Sequence, residues 1–134
     1  MTVAGDGKIS DMTTHRERIT NILGSLPEVE LESGGEYDQH LGASVRRKRF
    51  AWFLDDHHGD GTVAVTCKAP TGVNETMVDS GPERYFIPTY TGPRGWIGIR
   101  LDIDGTDWDR VELVLAEAYR MTAPKSLVAQ LDRR

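Results

Sequence analysis

"ASVRRKRFAWFLDDHHGDGTVAVTCKAP" (residues 43–70) is the stretch whose reading decides the fold. Two segments rich in β-branched and aromatic side chains, "ASVRRKRFAWFL" and "TVAVTCKAP", flank the polar "DDHHGDG", which is the pattern of two strands joined by a turn. In the second segment Val63, Val65 and Cys67 alternate with Ala64, Thr66 and Lys68, so one face is expected to be buried and the other wet. In the first segment the same alternation sends neighbours to opposite faces, and the basic run 46–49 cannot form one patch. If Val45, Ala51 and Phe53 face the core, then Arg46, Lys48, Phe50 and Trp52 share the outer face.

Working outward, "TTHRERITNILGSLPEVE" reads as a helix. Thr13 or Thr14 can cap it, and Ile19, Ile22, Leu23 and Leu26 fall on one face before Pro27 ends it. Residues 1–12 are small and polar, and a frayed end is expected there, with a single domain over 13–134. The Glu- and Gly-rich residues 28–42 suggest an acidic edge strand and a loop. Beyond the central pair, "TGVNETMVDSG" predicts a short helix from about Asn74. "RYFIPTYTGPRG" is interrupted by Pro88 and Pro93, so an extended edge or a loop is expected. "GWIGIRLDI" alternates as a strand, with Ile97, Ile99, Leu101 and Ile103 on one side and Trp96, Gly98 and Arg100 on the other. "TDWDRVELVLAEAYRM" predicts a helix capped by Thr106, with Asp109 completing a capping box and a stripe of Trp108, Val111 and Leu115 packed on the last strand. Pro124 opens a second, shorter helix. The order of elements predicts an α+β fold, an antiparallel sheet with helices packed on one face.

The composition, 38% hydrophobic and 28% charged, is that of a folded globular chain. No apolar run approaches the roughly 18 residues that a membrane span needs, so no membrane association is expected. The first residues carry no apolar stretch of the signal-peptide kind, and one cysteine permits no intrachain disulfide. A reducing cytoplasmic location is the expectation. The net charge of −5 argues against non-specific coating of nucleic acid. Yet the run 46–49 carries four of the positive charges, so the charge is segregated.

Chemical motifs are few. Asp55, Asp56, His57, His58 and Asp60 are metal-ligand types, but adjacent histidines seldom converge on one ion, and a solvated turn is the expected role. "DIDGTD" (102–107) resembles a calcium loop, but its twelfth position from Asp102 is Leu113, where a bidentate Glu belongs. Cys67 falls on the apolar side of a strand, where it acts as a small hydrophobe. No nucleophile elbow or phosphate-cradling glycine loop is present, so neither catalysis nor a cofactor or metal is expected. There remains the outer sheet face. Arg46, Lys48, Lys68 and Arg100 are candidate phosphate contacts there, and Trp52 and Trp96 are candidate stacking platforms for bases. Weak, salt-sensitive DNA binding follows as one reading. The other is a protein- or small-ligand-binding module on the same aromatic face.

The blocks "LPEVE", "RFAWFL", "RYFIPTYTGPRGWIGIRLD" and "DWDRVELVLAEAYRMTAPKSL", in that order and spacing, resemble the MmcQ/YjbR family from about Thr14 to Leu131. The resemblance implies a single α+β domain whose antiparallel sheet is similar to the double-wing DNA-binding fold of a phage transcription factor. It carries over no catalytic residues.

Overall fold

The computed structural model describes residues 14–55 and 61–134. Thr14 opens helix α1 (His15–Gly24) with a complete capping box. Its side chain accepts from the Glu17 N–H, and the Glu17 carboxylate accepts from the Thr14 N–H. Strands β1 (Val29–Gly34), β2 (His40–Val45), β3 (Lys48–Asp55) and β4 (Val63–Cys67) follow. Next come helix α2 (Val73–Ser80), the short edge strand β5 (Tyr85–Phe86), a 3₁₀ turn (Gly92–Arg94) and β6 (Ile97–Arg100). Helices α3 (Trp108–Thr122) and α4 (Lys125–Asp132) end the chain. The six strands among the described residues form one antiparallel sheet in the order β1-β2-β3-β4-β6-β5. Buried side chains of α1, α3 and α4 join Val45, Phe53, Val65 and Ile99 in one core, with Val73, Met77 and Val78 of α2 packed against it. The helices therefore cover one face, as expected for α+β.

The central stretch differs from its sequence reading in two ways. Residues 43–54 are not one strand but a hairpin, because Val45 pairs with Lys48 across a two-residue turn. Arg46 and Arg47 both adopt positive φ, at 50° and 68°, as a type I′ turn requires. Neither is Asn or Gly, so the usual signal for that turn is missing. The second difference is a register shift beside Ala43, which pairs with Ala51 while Ser44 pairs with Arg49. Phe50 is the extra residue of this bulge. It turns inward, is 0% exposed, and meets the Tyr119 ring edge-on with centroids 5.8 Å apart. The bulge thus corrects the assignment of Phe50 to the outer face and brings Arg49 out in its place.

The remaining corrections concern the late helix. Asp107, not Thr106, caps α3 by accepting from the Arg110 N–H, while Thr106 donates to the carbonyls of Leu101 and Ile103. Trp108 is half-buried and packs on α1, stacked on His15 and covered by the Arg18 guanidinium at 4.9 Å. Val111, Leu115 and Tyr119 make the buried stripe. The Tyr119 hydroxyl donates to the Pro27 carbonyl at 2.7 Å, tying α3 to the end of α1. The expected frayed end at 1–12 and the turn residues Asp56, His57, His58 and Asp60 lie outside the described residues.

Candidate binding face on the sheet

The outer face is built from small and flat pieces. Registers place Gly42, Trp52, Thr66 and Gly98 in one row across β2, β3, β4 and β6, with Phe86 of β5 at its end. A Cβ on Gly98 would collide with the Phe86 ring, and one on Gly42 with the Arg49 guanidinium. The two glycines therefore let these side chains lie flat on the sheet. Arg49 stacks over Trp52 at 4.5 Å from the ring centroid. Its Nη2 donates to Glu32 at 3.0 Å, while its Nη1 is buried without a hydrogen-bond partner.

Two concavities result, and they share Trp52 and Thr91. The first, about 510 Å³, is lined by His40, Trp52, Leu54, Thr66, Phe86 and the segment 87–91. The second is a groove of about 710 Å³ lined by Lys48, Arg49, Trp52, Lys68, Arg94 and Trp96, among others. The wall between sheet and solvent is the loop after β5, and buried Asn74 holds it in place. The Asn74 amide donates to the carbonyls of Gly92 and Trp96, at 3.4 and 3.1 Å. Among the described residues Lys48, Lys68 and Arg94 have no ion pair. Four cations thus line the groove, and one of them, Arg49, is paired to Glu32.

The structure brings four of the six sequence-derived candidates together in this groove: Lys48, Trp52, Lys68 and Trp96. Trp96 has a different part from the one expected. It is 4% exposed, so it forms the floor and cannot serve as a stacking platform. Arg46 and Arg100 do not line the groove. Arg46 sits on the hairpin turn, where its guanidinium binds Glu28 through two hydrogen bonds and holds that carboxyl below its ordinary pKa. Arg100 is on the outer face, but both oxygens of Asp102 accept from it, and the pair lowers the Asp102 pKa. That pairing commits the Asp102 carboxylate of the calcium-like segment to an arginine.

Sequence reasoning missed Arg49, Arg94, Asn74 and His40. Arg49 came outward only through the bulge. The flanking prolines and glycines mark the loop that carries Arg94, but not the direction in which it folds. His40 is 8% exposed at the start of β2, and its Nδ1 accepts from the Asp55 N–H at 3.1 Å. The ring proton therefore sits on Nε2. Cys67 is buried beneath the sheet, and desolvation pushes its thiol up to about 12. That rules out a thiolate nucleophile at neutral pH. Among the described residues no three His, Cys, Asp or Glu side chains cluster as metal ligands, and no helix is long and apolar enough to cross a membrane.

The sequence model of the YjbR family matches residues 24–121. This chain belongs to the YjbR family. The match runs from the end of α1 to the last turns of α3, so it takes in every strand and the whole outer face. Among solved structures, the YjbR chain is similar to Deinococcus radiodurans protein DR2400, which has a DUF419 domain. The TM-score is 0.65 at 15% identity, over 81% of this chain and 77% of that one. Identity at that level shows a shared fold. Comparison with curated proteins gives no match.

Proposed function

We propose that this YjbR-family protein is a cytoplasmic binding protein, not an enzyme, whose outer sheet face takes up DNA along the basic groove. The observation that carries this reading is the convergence of Lys48, Lys68 and Arg94 with Arg49 on one groove beside the half-buried Trp52 ring. These cations come from β3, from the residue after β4 and from the loop before β6, so only the folded sheet brings them together. Three cations without an ion pair among the described residues suit phosphate contacts, which fix a strand's path without reading its sequence. The family resemblance to a DNA-binding fold points the same way. A small-ligand module is the second reading, favoured by the neighbouring apolar pocket.

Fluorescence anisotropy with labelled single- and double-stranded DNA over a salt series tests the reading. Three phosphate contacts predict a log–log salt slope of about −2 to −3. With a net charge of −5 opposing approach, affinity should be micromolar or weaker, on the order of what electrostatics alone supplies. Lys48→Glu with Lys68→Glu should abolish binding, while Arg46→Glu should leave it nearly unchanged. Absence of binding at low salt, or indifference to the Lys48 and Lys68 reversals, would overturn the DNA reading and leave the small-ligand module.

A further inference from the structure

We propose that the pocket beside the groove holds one unpaired nucleobase, whose phosphate lies on the groove; the phosphate half of this rests on the reading above. The pocket is a different surface from the groove in kind. Trp52, Phe86, His40 and Tyr90 line it together with Leu54 and Ile87, and the polar groups among its lining side chains include the hydroxyls of Thr66, Thr89 and Thr91. Its volume of about 510 Å³ falls within the range of roughly 300–1,000 Å³ typical of small-ligand sites. Aromatic rings at that density are what bases stack on, and hydroxyls can read a base edge.

Two further observations bear on the guest, the first selecting a base over a wholly apolar one and the second marking surface that a guest would cover. The first is continuity, because Trp52 and Thr91 line both concavities, so a ligand that extends past Trp52 enters the groove of Lys48, Lys68 and Arg94. A flat π-surface joined to an anion is the chemistry of a nucleotide. The second is the rim. Tyr90 is 75% exposed and Ile87 44% exposed, so the mouth carries large apolar side chains held in water at the edge of a cavity. A guest would cover them. Thr66 lines the pocket from the sheet, and Gly98 beside it lets the Phe86 ring lie flat as part of the lining.

The same chemistry is available in a single strand and in a free nucleotide. A base paired in duplex must first leave its stack, at a cost of a few kcal/mol, so duplex should bind less well. The experiment compares four probes by anisotropy or by Trp fluorescence. They are a labelled ten-nucleotide single strand, the same strand with alternate abasic sites, its duplex, and a free nucleoside monophosphate. The intact strand should bind at least tenfold more tightly than the abasic strand, which has the same charge. Thr89→Trp, at an exposed wall position, should fill the pocket and remove that difference while leaving abasic-strand binding unchanged. Equal affinity for intact and abasic strands, with binding still lost in the Lys48 and Lys68 reversals, overturns the pocket inference and leaves the groove reading standing. If no polymer binds, the groove reading falls, and the monophosphate decides the rest. A fluorescence change that Thr89→Trp abolishes keeps the base pocket with a free nucleotide as its source. No change overturns it.

Discussion

The two faces of the sheet share one backbone ladder and are closed in opposite ways. On the inner face Val45, Ala51, Phe53, Val65, Cys67, Ile97 and Ile99 are all sealed under helices. On the outer face Thr66 and Ala64 are almost as inaccessible, but Ala64 stands outside that core and Thr66 lines the open pocket. Around Thr66 the Trp52 and Phe86 rings and the loop after β5 close in instead of a helix layer. A helix layer interdigitates and leaves little void, because side chains from both sides fill the gap. A single layer of rings over glycines cannot fill it, and concavities remain. The difference teaches that burial alone does not mark a core here. What covers a residue matters as much as how far it is covered.

Adjacent residues of β3 give the largest test of this contrast. Phe53→Ala should cost about 3–5 kcal/mol, since it leaves a cavity under α3. Trp52→Ala, one residue away on the other face, should cost only about 1 kcal/mol, mostly the lost contact with Arg49. Urea denaturation of both variants measures the gap. Equal losses would show that the outer face is a second packed core.

A smaller effect comes from the inner face through pH. Burial raises the Cys67 thiol to about 12, whereas an unfolded thiol ionises near about 8.5. The unfolded chain therefore releases a proton that the folded chain keeps. Stability from this group is complete below about pH 8.5 and is lost as pH rises above it, by nearly tenfold in the folding equilibrium per pH unit. Cys67→Ala should flatten the alkaline limb of a stability profile. A limb as steep as in the parent would mean that Cys67 reaches solvent.

The hairpin tip sharpens the contrast with the smallest change. Arg47 is held at a φ of 68°, which a non-glycine residue adopts at some cost. Arg47→Gly should raise stability by about 0.5–1 kcal/mol. It should leave the proposed DNA binding unaffected, because the groove lies on the sheet and not at the tip. A rise in melting temperature with intact binding is the expected result. Weakened binding would extend the site to the turn.

Much of the architecture was legible from local pattern. A cap at Thr13 or Thr14 gave the start of α1, alternation gave β4 and β6, and the acidic composition of 28–42 gave an edge strand. These are legible because a cap or a strand face depends on residues only a few positions apart. The hairpin at Arg46 and Arg47 was not, since its turn lacks the Asn-Gly chemistry that normally announces it. Phe50 was not either, because a bulge is a property of two strands in register and leaves no mark in one of them.

By itself, then, the sequence determined the composition of the outer face: lysines and arginines near Trp52, a strand with Lys68 at its end, and a Gly-Trp strand to follow. Tertiary structure decided which of those residues meet. It sent Phe50 inward and Arg49 outward, and folded the loop held by Asn74 over the sheet until Trp96 became a floor. It tied Arg46 and Arg100 to carboxylates away from the groove. The physical reason is range. Alternation and capping are fixed by near neighbours, whereas a groove between β3, β4 and the loop before β6 exists only once antiparallel pairing has brought together residues tens of positions apart.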